Sequence, residues 1–203
     1  MKALKTIGIL LLLLIVLGLI ASLILPKDLS VERSITINAP ADVVWKHISS
    51  HQEFDKWSPW NKLDSNMTKE MIGEDGTVGA IWKWQSDHKD VGNGEQEFTV
   101  VDRDSGKVAT ELRFEGMGTS QSWRNMTVGD DGVTVNWGFQ SDKMGVPSNL
   151  ILFLFGVEKT MKKQFDQGLA DLKKLCEEYK AEEGPKKPEK EYEVSEASFP
   201  STN

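Results

Sequence analysis

The sequence predicts an α+β protein in which a curved antiparallel sheet wraps around a long C-terminal helix, preceded by one N-terminal transmembrane helix. Three observations carry that prediction. Between Glu158 and Tyr179, residues Met161, Phe165, Leu169, Leu172, Cys176 and Tyr179 recur at steps of three and four, which places them on one stripe of a helix. Upstream, short alternating segments separated by glycine turns read as strands with hairpin-length links, the pattern of an antiparallel meander. At the start, Ile7 to Leu25 is apolar and uncharged; at about 1.5 Å per residue it can span a hydrocarbon core of about 30 Å.

A long helix with a one-sided stripe needs a broad surface to lie against, and the strands supply it. Taken in order, residues 1–26 form the anchor. A cleaved signal peptide shares the charged start, but Ala21 and Ser22 are flanked by Ile20, Leu23 and Ile24, without a small-x-small site. Lys2 and Lys5 precede the span, so the positive-inside rule leaves the N-terminus in the cytoplasm and the domain on the extracytoplasmic side of the cytoplasmic membrane. Val31, Arg33, Ile35 and Ile37 then alternate with polar residues as a half-buried strand. Asn38-Ala39-Pro40-Ala41-Asp42 opens a helix, with proline early where its missing N–H costs nothing. A second short helix is expected over 51–57, ended by Pro59.

The following strands are punctuated at Gly73-Glu74-Asp75-Gly76, Gly92-Asn93-Gly94, Ser105-Gly106 and Asp130-Asp131-Gly132. Trp82 and Trp84 share a face by parity, as do Phe98 and Val100, Leu112 and Phe114, and the set Val133, Val135, Trp137 and Phe139. The strand over 120–128 has no clean face, and a weaker strand lies near 67–72, for six or seven in all. Leu150-Ile151-Leu152-Phe153-Leu154-Phe155 is apolar throughout and too short to span, so it is either buried or touches lipid. The folded domain covers 31–181, and the Glu/Lys/Pro-rich stretch 182–203 is a disordered polar tail.

Composition narrows the function. The 203-residue chain carries a net charge of −7, which excludes an electrostatically driven nucleic-acid binder. The single cysteine, Cys176, excludes an internal disulfide framework and a cysteine-built metal site. His47 and His51 are interrupted by Ser49-Ser50, His88 sits in a charged loop, and no added carboxylate completes a metal set. No metal and no cofactor are expected. Neither a nucleophile elbow nor a phosphate or dinucleotide loop is present.

Several segments together carry a resemblance: Val31-Glu32-Arg33-Ser34-Ile35-Thr36-Ile37-Asn38-Ala39-Pro40, then Trp57, Asp75-Gly76-Thr77-Val78-Gly79 and Gly92-Asn93-Gly94-Glu95-Gln96-Glu97. They continue with Thr110-Glu111-Leu112-Arg113-Phe114, Val135-Asn136-Trp137-Gly138-Phe139 and Gly168-Leu169-Ala170-Asp171-Leu172-Lys173. In that order the chain resembles the START-like (SRPBCC) superfamily, and within it the membrane-anchored bacterial polyketide cyclase/dehydrase-like proteins. The resemblance implies a helix-grip fold with an apolar cavity between sheet and helix; it does not carry an activity.

The candidate cavity residues are Trp82, Trp84, Gln96, Phe98, Leu112, Phe114, Trp137, Phe165 and Leu169, apolar and aromatic with one amide, the composition of a ligand pocket. Plain core packing explains the same tryptophans equally well. Glu95, Glu97, Glu111 and Arg113 fall on the opposite parity and are expected to pair across strands. No catalytic residue is assigned. Leu152, Phe153 and Phe155 are candidates for a gate or membrane contact. The expected function is a membrane-tethered binding or carrier module for a hydrophobic small molecule or lipid. The alternatives are a cyclase- or hydrolase-type enzyme in the same cavity, and an envelope structural protein with a filled core.

Overall fold

The computed structural model describes residues 2–116 and 118–183, with side chains through 178; the side chain of Tyr179 and the expected tail from 184 on lie outside that description. Its helices are α1 (Lys2–Ile24), α2 (Ala41–Ile48), α3 (His51–Trp57), α4 (Pro59–Leu63), α5 (Ser148–Leu154) and α6 (Val157–Glu183). Its strands are β1 (Ser30–Ile37), β2 (Thr68–Ile72), β3 (Ile81–Gln85), β4 (Gly94–Asp102), β5 (Lys107–Phe114), β6 (Gly118–Gly129) and β7 (Gly132–Ser141). The seven strands form one antiparallel sheet in the order β1-β7-β6-β5-β4-β3-β2. From β2 to β7 the path is a meander, as the hairpin-length turns require, while α2, α3 and α4 carry the chain from one sheet edge to the other.

The stripe on α6 behaves as its spacing predicts: Phe165, Leu169, Leu172 and Cys176 are all buried. The helix packs chiefly along β1 and against α2, α3 and α4. Its closest approach is at Gly168, where an added Cβ would stand 2.8 Å from the Trp137 ring and 3.1 Å from Pro59. Ser50 caps α3, its hydroxyl accepting from the Glu53 N–H at 3.1 Å. Asp75, in the turn ahead of β3, accepts from Ser50 Oγ (2.6 Å), His51 N (2.8 Å) and Gln52 N (3.1 Å), tying that turn to the start of α3.

Two expectations need correction. Phe98 and Val100 do not share a face, because a register shift between them inserts an extra residue in β4. Phe98 is buried, Val100 is exposed, and Val101 turns to the core in its place. The strand that lacked a clean hydrophobic face, β6, is the longest in the sheet, and its inner face is polar: Ser120, Ser122 and Arg124 are all buried.

The N-terminal helix is long and apolar enough to cross a membrane, and of its residues only Ser22 is buried. Ser22 meets Asn149 of α5: their side chains hydrogen-bond, and Asn149 Nδ2 donates to the Ser22 carbonyl at 2.7 Å. Asn149 is buried, while Ile151, Phe153, Leu154 and Phe155 are exposed, Phe155 by 79%. The apolar segment is therefore not a core helix; one polar residue docks it and its apolar side faces outward.

Candidate functional site

The concave face of the sheet divides into a closed half and an open half. In the closed half, Trp137 of β7 is the hub. Its ring meets Phe54 (5.5 Å between centroids), Trp57 (5.2 Å), Trp60 (5.8 Å) and Phe165 (3.9 Å), the first three edge to face. Trp137 and Phe165 are exposed by 2% and 1%, and Leu169 beside them is equally enclosed. α3, α4 and α6 converge here because Gly168 lets the helix backbone reach the ring.

In the open half, cross-strand register aligns Trp82 with Gln96 and Gln96 with Leu112, and aligns Trp84 with Gly94 and Gly94 with Phe114. Trp84 lies over Gly94, whose absent Cβ leaves room for the indole, and meets Phe114 edge on at 5.8 Å. Trp82, Trp84, Leu112 and Phe114 are all only half-buried. A depression of about 280 Å³ lies at the sheet's rim, where Trp84 and Phe114 meet the charged residues Lys83, Glu95 and Arg113 of the opposite face. The predicted cavity residues are thus brought onto one concave face but separated by exposure: Trp137, Phe165 and Leu169 are enclosed, and the β3–β5 aromatics border solvent.

Between the halves lies a polar group of which only Gln96 was among the sequence-based candidates. Gln96, Thr110, Ser120, Ser122 and Arg124 are buried on the inner face. Ser122 Oγ donates to the Gly138 carbonyl at 2.8 Å. The Arg124 guanidinium stands 4.4 Å from the Phe54 ring centre and 5.7 Å from that of Phe98. His51 stacks on Phe98 with centroids 3.8 Å apart, and its Nε2 lies 3.3 Å from the Ala80 carbonyl, which assigns the proton to that nitrogen. Burial pushes the imidazole down to about 3, helped by the nearby Arg124 charge, so His51 is neutral at pH 7. Burial likewise pushes Arg124 down to about 9, leaving it protonated. Burial alone would raise the Asp75 carboxyl, but the Ser50 hydroxyl and the His51 and Gln52 amides donating to it hold it below its ordinary value.

Several other titratable groups have structural employment. Arg113 pairs on the convex face with Glu95, Glu97 and Glu111 at 2.6–2.8 Å, the cross-strand cluster the parity predicts. His47 Nδ1 lies 2.9 Å from Glu53 Oε2, on a different helix from His51. Burial pushes the Cys176 thiol up to about 12, which makes it a packing residue. Among the described residues no three His, Cys, Asp or Glu side chains could hold a metal ion. The signal for Arg124 was present in the sequence as Ser120, Ser122 and Arg124 on one parity of a strand, but a polar inner face is invisible to a search for hydrophobic alternation.

Residues 28–177 match the family described as polyketide cyclase/dehydrase and lipid transport. The chain belongs to that family. No curated protein sequence matches the chain. Among solved structures, a protein of unknown function from Staphylococcus aureus is similar at a TM-score of 0.57 and 11% identity, covering 76% of this chain and 97% of its own. Norcoclaurine synthase from Thalictrum flavum is similar at a TM-score of 0.56 and 16% identity, covering 78% of this chain and 92% of its own. A Chromobacterium violaceum protein is similar at 0.52 and 13% identity, covering 73% and 97%. At these identities the likenesses establish the helix-grip fold that this polyketide cyclase/dehydrase-family chain shares with them.

Proposed function

We propose that this protein is a membrane-tethered binding or carrier module for a hydrophobic small molecule or lipid held on the concave face of the sheet. The observation that carries the reading is the half-exposure of Trp82, Trp84, Leu112 and Phe114 on the same face whose other end is sealed around Trp137. Pockets lined by aromatic and apolar groups with a few polar ones suit apolar guests. A core that merely filled itself would enclose both ends alike. A binding role fits the polar set better than a catalytic one. His51 is neutral and stacked, and the oxygens of Asp75 are engaged in holding α3.

The tether is α1, with Lys2 and Lys5 on the cytoplasmic side and the domain outside. The Ser22–Asn149 contact keeps α5 at the end of that span, so Phe153, Leu154 and Phe155 meet the bilayer interface and Leu152 and Phe153 guard the approach. Leu152 and Phe153 also line, with Leu25, Leu29 and Lys159, a depression of about 330 Å³ beside the end of α1. An apolar guest leaving the membrane meets this region first.

Mass spectrometry of the organic extract from the purified full-length protein tests the reading. A co-purifying apolar molecule, displaced by hydrophobic probes with a tryptophan fluorescence change, is the expected result. An extract that matches a tryptophan-silent blank, with no probe response, would overturn it.

A further inference from the structure

Resting on the concave face being a binding surface, we propose that Arg124 is the receptor for the carboxylate of the ligand, so that the guest is an apolar acid and not a neutral lipid. Arg124 projects inward from the middle of β6, opposite Trp137 in register. A guanidinium carries five N–H donors and no acceptor. Here it is 2% exposed, it makes no hydrogen bond or ion pair with any described residue, and its Nη2 is fully buried without a partner. The guanidinium instead faces the Phe54 and Phe98 rings. Ring faces recover only part of the solvation that a buried cation loses. The carboxylate that attracts it across space, Asp75, is already committed to Ser50, His51 and Gln52.

The surroundings specify the chemistry. His51 is the other inward nitrogen base, and with Nε2 directed to Ala80 its buried Nδ1 is an unpartnered acceptor that brings no charge. Asp75 acts on Arg124 only from a distance and makes no bond to it, so the guanidinium's donors stay open to a ligand, and a guanidinium matches a carboxylate in two parallel bonds. A phosphate dianion would leave an excess charge buried. Ser120, Ser122 and Arg124 form a line along β6, with Ser120 opposite Leu112 near the rim and Arg124 deep. The polar side chains of Gln96, Thr110 and Ser120 are buried on the same face. This geometry suits an acid that enters carboxylate first and leaves its apolar body among Leu112, Phe114 and Trp84.

Calorimetric titration of the full-length protein in nanodiscs, with empty nanodiscs subtracted, tests this with octanoate, 2-naphthoate and their methyl esters. The wild type should bind at least one acid about tenfold or more tighter than its ester, and the choice between octanoate and 2-naphthoate distinguishes an aliphatic from an aromatic body. Arg124→Met should bind acid and ester alike, and Arg124→Lys should keep part of the preference. Equal binding of acids and esters by the wild type would overturn the assignment while sparing the hydrophobic-binding reading. An acid preference that survives in Arg124→Met would do the same and leave Arg124 a packing residue. Binding of neither acid nor ester would overturn both readings. If Arg124→Met does not fold, the wild-type acid-to-ester ratio decides alone.

Discussion

The two ends of the concave face use the same kinds of side chain for opposite ends. Around Trp137 the aromatics are interlocked and dry; around Trp84 they are similar in size and chemistry yet half-open to solvent. The difference lies in what covers them. α6 runs chiefly along β1 and the three short helices, and its glycine at 168 lets it press on Trp137. Over β3–β5 the cover is thinner. Identity of a side chain therefore says little about whether it is core or site, and the path of one helix says a great deal.

The sharpest way to break the comparison is to truncate both tryptophans. Trp137→Ala should cost about 3 to 5 kcal/mol, because a fully buried hub leaves a cavity ringed by aromatics that cannot all collapse. Trp84→Ala should cost roughly 1 to 2 kcal/mol and instead abolish the fluorescence response to hydrophobic probes. Urea unfolding of both variants checks the ratio, and equal losses would erase the distinction between the halves.

A pH series probes the seam between them. The unfolded chain protonates His51 near its ordinary value of 6.5, whereas the folded protein holds off that proton to about 3. The unfolded state thus binds more protons across that window, so the stability contributed by neutral His51 is complete above 6.5 and is lost as pH falls toward 3. Burial lowers His47 too, with Glu53 opposing, which adds a loss of the same sign. Urea midpoints taken from pH 7.5 to 4.5 should fall by an amount worth roughly 2 to 3 kcal/mol for His51. His51→Gln should flatten that slope, and an unchanged slope would mean the imidazole is solvated.

Gly168→Ala sharpens the account of the closed half. A methyl group at 2.8 Å from the Trp137 ring forces the helix or the ring to move. Overpacking of about 1 to 3 kcal/mol should outweigh the helix-propensity gain of about 1 kcal/mol, for a small net loss in melting temperature. A gain would show that the helix is not pressed against Trp137. Smallest in stability is Phe155→Glu. At 79% exposure it should change folding by no more than about 0.5 kcal/mol. The α5 reading requires that it still weaken the association of α5 with the bilayer, read as reduced quenching of α5-attached dye by lipid-borne quenchers.

Much of the architecture is legible in the sequence alone. The α6 stripe, the turn glycines and strand parity encode elements whose periods are local, so Phe165, Leu169, Gln96 and the Arg113 cluster fall where their spacing puts them. Local reading failed at Val100, because a bulge shifts parity by one residue without leaving a mark in composition. It also failed at His51 and Arg124. Each is polar, Arg124 lies on a strand without a clean hydrophobic face, and their meeting across Phe98 joins α3 to β4 and β6. Nor could spacing say that Trp137 is sealed while Trp84 is open, since both obey the same alternation. Periodicity reports which side of an element faces inward, whereas burial depends on what a distant segment lays over that side. For this chain only the course of α6, and the docking of α5 through Asn149 onto Ser22, decided it.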